Sequence, residues 1–210
     1  MIAEKFFSEY EKNRISDAIK SVEKKTIGEV AVMVVDSSDK YPEAEVLGGI
    51  TLGSFLSFVI TFYFFHSSLW WYIPLSFTIY FPARLLFHKI PELKKAFISK
   101  NRQEKAVLQR AVRAFYEKGL YKTRQNTGVL FFISLFEHKV WVLADKGIYE
   151  KIQQGKLDNF AQKVTKGIKE KRACDALCEA IFEAGELLAL YFPIKPDDIN
   201  ELTDKVIIEQ

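Results

Sequence analysis

Four polar residues have side chains suited to chemistry, and each borders an apolar run. Glu29 begins one run, Arg124 and Asn126 precede a second, and Asp145 follows a third. Carboxylate and amide oxygens are the ligands that Mg²⁺ and Ca²⁺ prefer, and a guanidinium can hold a phosphate with two parallel hydrogen bonds. If the loops meet, Glu29, Asp145 and the Asn126 side chain form a candidate Mg²⁺ or Ca²⁺ site, with Glu29 and Asp145 as metal ligands and Arg124 available for a phosphate.

The same residues also have a structural interpretation. Glu29 and Arg124 would pair with each other, and Asp145 would cap the helix that follows it. Both interpretations depend on the strands that bring the loops together, and the residue types alone leave both open.

Three apolar runs are predicted to form the sheet that positions these residues. They span residues 29–35, 128–135 and 139–144. The first run has no polar alternation, which is typical of a strand buried on both faces. The short link between the second and third predicts an antiparallel hairpin, whereas the first two, joined through a helix, should run parallel.

This topology predicts which loops share an end of the sheet. Glu29, the loop 124–127 and the turn 145–147 should meet at one end. The other end should gather residues 36–39 with Glu137 and His138, a weaker candidate site because a polar turn beside a hairpin tip is common.

Helical periodicity accounts for most of the remaining polar chain. Ser8 and Glu11 form a capping box ahead of a helix that runs to about Lys25. A later helix should end at Gly119, a residue that favours a left-handed C-cap, and two more follow Gly147. The predicted fold class is α/β, with a small mixed sheet sandwiched by helices.

An apolar run from Val46 to Phe87 interrupts this pattern, and His66-Ser67-Ser68 divides it in two. Each half is close to the roughly 20 residues that a spanning helix needs, so the run predicts a two-helix transmembrane hairpin inserted in the domain. A buried core hairpin is the alternative, but two stretches of this length are long for a chain of 210 residues.

The predicted organisation has four parts. They are a first soluble part (1–45), the transmembrane hairpin (46–88), the remainder of the soluble domain (89–192) and an extended acidic C-terminal tail (193–210).

The charge distribution predicts the orientation of the hairpin. Residues 89–124 contain eleven basic and three acidic residues, while the loop 66–68 has no Lys or Arg. Basic residues near a span stay in the cytoplasm, so the soluble domain is predicted to be cytoplasmic, beside anionic lipid. No nucleic-acid partner is expected, because stacking aromatics are not interleaved with these charges.

Familiar catalytic patterns are not found in the sequence. The three histidines are scattered, and there is no phosphate-binding loop or dinucleotide fingerprint. Cys174 and Cys178 lie four positions apart on the apolar face of a predicted helix, which favours buried thiols over a zinc site or a disulfide.

Several short motifs occur in a specific order along the soluble part. They are Lys25-Thr26-Ile27-Gly28-Glu29-Val30, Thr123-Arg124-Gln125-Asn126-Thr127-Gly128-Val129, Phe136-Glu137-His138, Ala144-Asp145-Lys146-Gly147-Ile148, Phe192-Pro193 and Asn200-Glu201-Leu202-Thr203-Asp204. Together they resemble the membrane-associated branch of the TPM-domain family. The resemblance implies an α/β sandwich, and some members, including chloroplast proteins of photosystem repair, are described as weak acid phosphatases or calcium binders.

Two motifs depart from the family pattern. Many members carry Asp-Asn-Gly where this chain has Asn126-Thr127-Gly128, and others show Gly-Tyr-Gly where it has Asp145-Lys146-Gly147. An acidic group that the phosphatase activity would use is therefore missing. An extracytoplasmic location, common in the family, also differs from the orientation that the charges predict.

Two functions are consistent with the sequence. The first is a membrane-anchored binding or assembly module with no assigned catalytic activity, whose partners are the lipid bilayer and another membrane or membrane-associated protein. The alternative is a weak metal-dependent phosphatase that uses the Glu29, Arg124, Asn126 and Asp145 cluster with Ca²⁺ or Mg²⁺.

Overall fold

The structure, a computed structural model, describes residues 3–65, 69–195 and 200–209. The predicted hairpin loop at 66–68 and part of the predicted acidic tail lie outside the described residues. The chain forms two compact units: Met1–Ser38 with Glu104–Gln210, and Asp39–Gln103.

Helices and strands alternate along the described chain. The helices are α1 (Ala3–Phe6), α2 (Glu9–Glu23), α3 (Pro42–Phe64), α4 (Leu69–Lys89), α5 (Pro91–Lys95), α6 (Lys100–Glu117), α7 (Lys146–Tyr149), α8 (Gln154–Lys169) and α9 (Ala173–Tyr191). The strands are β1 (Glu29–Val35), β2 (Gly128–Ser134), β3 (Lys139–Ala144) and β4 (Ile207–Glu209).

A four-stranded mixed sheet, in the order β3-β2-β1-β4, forms the centre of the first unit. β1 and β2 run parallel from the pair Glu29 and Gly128 to the pair Val35 and Ser134, and β2 and β3 are antiparallel. Every residue of β1 and β2 is buried, as continuous apolar runs favour. The predicted pairings of the first three strands are confirmed.

Helices cover both faces of this sheet. Val30, Val32 and Val34 pack into a core with α2, α8 and α9. The alternate residues of β1, Ala31 and Met33 among them, pack against the apolar face of α6. The period of two along the strand thus divides its side chains between two cores, which confirms the predicted mixed α/β fold.

The start of α2 has the predicted capping box. The Glu11 N–H donates to Ser8 Oγ at 3.3 Å, and the Ser8 N–H donates to Glu11 Oε2 at 2.8 Å. This reciprocal pair satisfies two amides at the helix N-terminus, so the boundary that the sequence predicted is confirmed.

The second unit contains two long helices packed antiparallel. An added Cβ at Gly53 of α3 would lie 3.2 Å from the backbone of Tyr80 in α4, so the helices approach closely there. In the described part of the chain, α3 is the one helix long and apolar enough to cross a membrane by length and composition. The helical pair is observed, and the crossing of a bilayer stays a prediction.

The short elements α1 and β4 were not predicted. α1 has four residues and β4 has three, and such lengths carry little periodicity. The C-terminal segment was expected to lie extended on the surface, but Ile207–Glu209 joins the sheet as a parallel neighbour of β1. That edge pairing is a long-range contact, which a local pattern does not reveal.

Glycine substitutions in two helices should have opposite effects on stability. A Cβ at Gly185 of α9 would lie 2.4 Å from Cγ2 of Val22 in α2, whereas a Cβ at Gly155 of α8 meets nothing within 4 Å. Gly185→Ala should lower the free energy of unfolding by about 1–2 kcal/mol through overpacking, and Gly155→Ala should raise it by about 0.5 kcal/mol. Urea unfolding of the full chain in detergent measures both, and equal effects of the two variants would contradict the described packing.

Candidate functional site

The amino end of β1 gathers the loops that the topology predicted. The Glu29 N–H donates to the carbonyl of Thr127 at 3.2 Å, and the Asp145 N–H donates to the carbonyl of Gly128 at 2.9 Å. The loop before β2 and the turn after β3 therefore both lie at this end of the sheet, as predicted.

Buried threonine hydroxyls hold this loop. Thr127 Oγ1 donates to the carbonyl of Ile27 at 3.0 Å, and Thr123 Oγ1 accepts from the Thr127 N–H at 2.9 Å. Thr26 Oγ1 donates to the carbonyl of Phe192 at 2.6 Å, which fixes the end of α9 beside the turn into β1. These bonds satisfy polar groups that are removed from water and connect the loop before β2 to the segments that surround it.

Glu201 connects the two predicted site residues Glu29 and Arg124. Its N–H donates to Glu29 Oε1 at 3.0 Å, and its Oε2 accepts from the Arg124 N–H at 3.1 Å. Its Oε1 also lies 3.4 Å from Arg124 Nε. Arg124 thus presents both a backbone amide and a guanidinium to one carboxylate, which is a small anion-binding arrangement.

A cavity of about 180 Å³ opens at this position. Glu29 is buried at its base, while the Arg124 side chain is 67% exposed. The residues that line the cavity are Ile27, Glu29, Thr123, Arg124, Gln125, Thr127, Lys195 and Glu201. The cavity therefore combines two carboxylates with two cations, Arg124 and Lys195.

Asn126 and Asp145 are not among the residues that line this cavity. Asn126 has a left-handed backbone (φ 55°) in the tight turn before β2. Asp145 is the N-cap of α7, and its Oδ1 accepts from the Lys146 N–H at 2.7 Å. The predicted capping role of Asp145 is confirmed, although its buried Oδ2 has no hydrogen-bond partner among the described residues.

The proposed metal ligands can be compared with the described acidic groups. Within residues 3–65, 69–195 and 200–209, no group of three or more His, Cys, Asp and Glu residues is arranged to hold a metal ion. Glu29 and Asp145 lie on neighbouring loops at the same end of the sheet, and a metal between them stays a prediction.

A second carboxyl group is buried next to Glu29. Glu23 Oε1 accepts from the Val30 N–H at 3.0 Å. Burial raises the pKa of Glu23 to about 8, and the nearby carboxylates of Glu29 and Asp204 add to the shift against the opposing effect of the Val30 N–H. Glu23 is therefore protonated at neutral pH, which limits repulsion among the three acidic groups.

The opposite end of the sheet uses its polar residues in local structure. Glu137 is buried, and its carboxylate accepts from the Ser38 N–H at 3.0 Å and from the Ser134 hydroxyl. Asp36 accepts from the Ala3 N–H at 2.6 Å. His138 lines a mostly apolar cavity of about 290 Å³. Glu137 thus ties the β2–β3 hairpin to the segment that leaves β1.

The two cysteines are buried free thiols, as predicted. Burial raises the pKa of Cys178 to about 12 and also raises that of Cys174. The thiolate is the reactive form of cysteine, so neither residue has the properties of a nucleophile.

Sequence reasoning did not assign Glu23, Thr123, Thr127 or Glu201 to this site. Glu201 was noticed only as part of a C-terminal motif, and its bond to Glu29 joins positions 172 apart. One feature of the sequence could have assigned the two threonines to the site: they flank the predicted site residues Arg124 and Asn126. Glu23 was included in the helix predicted to run to about Lys25, without a role of its own.

Comparisons with known proteins support the fold. A family model for the TPM domain matches residues 92–186, which include α6, β2, β3 and α8. The structure is also similar to the NMR structure of the BA42 protein from the psychrophilic bacterium Bizionia argentinensis, with 21% identity, a TM-score of 0.61, and coverage of 97% of this chain and 96% of that chain. None of the curated protein sequences compared with the chain matches it.

The two similarities support different conclusions. The TPM match confirms the predicted resemblance to the TPM domain over residues 92–186, whereas the membrane-associated branch stays a prediction. At 21% identity, the likeness to BA42 concerns the fold alone. The α/β unit, Met1–Ser38 with Glu104–Gln210, resembles the TPM domain over the matched part, and we call it the TPM-like unit.

The protonated carboxyl of Glu23 predicts a pH-dependent stability. Because its pKa in the folded chain, about 8, lies above the ordinary value, its contribution is complete below the ordinary glutamate pKa. The contribution is lost as the pH rises toward 8, by at most about 1.4 kcal/mol per pH unit. Unfolding from pH 5 to 9 should show this decline in the wild type and a flatter profile in Glu23→Gln.

Asp17→Asn is the matched control for that measurement, since Asp17 is an exposed acid on the same helix. It should leave the wild-type profile unchanged. A Glu23→Gln profile that falls as steeply as the wild type would mean that Glu23 is ionised in the folded chain.

Proposed function

We propose that this chain is a membrane-anchored binding or assembly module. In this proposal α3 and α4 cross the bilayer as a hairpin, and the TPM-like unit binds another membrane or membrane-associated protein. The proposal assigns no reaction to the module.

The distribution of side chains on α3 is the observation that carries this proposal. Its buried residues are mostly small or polar, including Gly48, Gly53 and Ser57, while Phe55 and Phe58 are 62% and 60% exposed. A helix pair in water would bury its large apolar side chains and expose its polar ones. Lipid reverses this preference, because small residues at the seam let the helices approach and large apolar residues face the chains.

The residues after α4 support an orientation with the TPM-like unit in the cytoplasm. Eleven of the residues from 89 to 124 are basic, and basic residues near a span are retained on the cytoplasmic side. Lys89, the last residue of α4, is exposed, where it can meet anionic headgroups.

Membrane insertion can be tested with the full chain expressed in cells. The wild type should stay in the membrane pellet after alkaline carbonate extraction. The double variant Phe55→Arg with Phe58→Arg should appear in the soluble fraction, because each cation costs about 2.5–3.5 kcal/mol near the centre of a span. Phe182→Arg, at an exposed aromatic of α9, is the control and should remain in the pellet. Wild type released by carbonate would reject the proposed anchor.

The orientation needs a separate measurement. An epitope inserted after Ser67 should be cut by protease added to intact cells, while an epitope at the C-terminus should be protected. The reverse pattern would place the TPM-like unit outside the cytoplasm.

A second candidate function is a weak metal-dependent phosphatase. The cavity beside Glu29 favours it, because Arg124 and Lys195 supply positive charge and a volume of about 180 Å³ admits a phosphate group. Arg124 would hold the phosphate through its amide and guanidinium, the groups that hold Glu201 here. Glu29 and Asp145 would supply ligands to Ca²⁺ or Mg²⁺, which would polarise the phosphoryl oxygens.

The second candidate predicts a specific pattern of activity. The full chain in detergent should hydrolyse an aryl phosphate when Mg²⁺ or Ca²⁺ is present. Arg124→Ala and Asp145→Asn should lower that rate about tenfold or more, the effect of losing a charged hydrogen bond. Arg113→Ala, at an exposed arginine of α6 outside the cavity, should leave it unchanged. A rate that does not respond to metal or to these variants would eliminate the candidate.

A further inference from the structure

The last described residues of the chain, 200–209, form a segment that we call the C-terminal strap. It contacts the rest of the TPM-like unit through hydrogen bonds, ion pairs and strand pairing. Glu201 binds Glu29 and Arg124, and Ile207 to Glu209 pair with residues 33–35 of β1. The carboxylate of Glu209 also forms ion pairs with α6. Acidic residues thus flank a short β-branched strand.

The ion pairs of Glu209 show that basic side chains lie beside the acidic residues of the strap. Arg110 of α6 and Lys118, which directly follows that helix, both bind its carboxylate, with Lys118 Nζ at 2.5 Å. Near the other end of the strap, Arg124 binds Glu201. The strap therefore covers three cations of the basic segment 89–124, and an acidic occupant suits them because each side chain is positioned to pair with a carboxylate.

Among the described residues, β1 is only partly paired on the side that the strap covers. β1 has seven residues, and β4 pairs with three of them. Farther along the same strand, the Val30 N–H donates to the Glu23 side chain rather than to a neighbouring strand. Without β4, β1 would form the edge of the sheet, and an apolar edge strand readily accepts another extended chain.

The strap packs against both cores of the sheet without burying any of its apolar residues fully. Its apolar residues Leu202, Val206, Ile207 and Ile208 are all only partly buried. β1 and β2, by contrast, are buried at every position. Elements with few buried contacts open locally at lower free energy than the core, so the strap can leave while the sheet stays folded.

We propose that the β1 edge, with Arg110, Lys118 and Arg124 beside it, binds an extended acidic segment of a partner protein that takes the place of the strap. This inference rests on the proposed binding function and specifies its partner. The segment adds as a parallel strand, and its acidic residues flank a β-branched pair in the spacing of Glu201 and Glu209. The strap is a built-in competitor that keeps the edge covered until such a partner arrives.

A labelled peptide with the sequence of residues 200–209 tests the proposal against the full chain in detergent. The variant Glu201→Lys with Glu209→Lys repels its own strap from the basic side chains. It should bind the peptide at least about tenfold more tightly than the wild type does, because a tethered competitor is present at high effective concentration. A peptide in which both glutamates are lysines should lose this binding.

Glu150→Lys with Glu186→Lys is the matched control variant, since it changes the charge equally at exposed positions outside the strap. It should bind the peptide as weakly as the wild type. Equal peptide binding by the strap variant and this control would overturn the proposal. So would preferential binding of the strap variant to anionic lipid vesicles instead of the peptide, because the occupant would then be a membrane surface.

Hydrogen exchange on the wild type keeps the test independent of any variant that fails to fold. Amides of residues 207–209 should exchange at least about 100-fold faster than those of β2, as expected for local opening. Equal rates would show that the strap leaves only on global unfolding. Carbonate extraction separates this inference from the anchor, since the strap variant should stay in the membrane pellet whatever its peptide binding.

Discussion

The parallel pairing of β1 with β2 is the constraint on which the rest of the structure depends. Seven consecutive residue pairs join segments that lie on either side of α3 and α4 in the chain. Both strands are buried at every position, so neither is stable without the other and the helices that cover them. The chain can accommodate the long apolar helices between β1 and β2 because it enters them from one unit and returns to the same unit after them.

The elements that the sequence predicted are those with a repeating pattern. The apolar run 29–35 and the capping box at Ser8 each determine structure locally, and both are present as predicted. β4 was missed because three residues carry no period, and its partner Met33 lies far away in the sequence. Local patterns therefore define the main elements, whereas edge pairing depends on the completed surface.

The candidate site was predictable only in part, for a related reason. Strand topology correctly brought Glu29, Arg124 and Asp145 to one end of the sheet. It could not indicate that Glu201 would lie between the first two, since that contact spans 172 positions. Nor could residue types decide the role of Asp145, which faces its own helix as a cap and still retains one buried oxygen without a partner among the described residues.

The separation of β1 from β2 also affects how the protein is made. Roughly 100 residues lie between Glu29 and its partner Gly128, so at typical synthesis rates β1 waits for about 5–20 s before β2 leaves the ribosome. During that interval the nascent chain exposes a valine-rich strand, and the next residues to emerge are the apolar helices. β1 therefore cannot form its parallel pair until the second half of the unit has been translated.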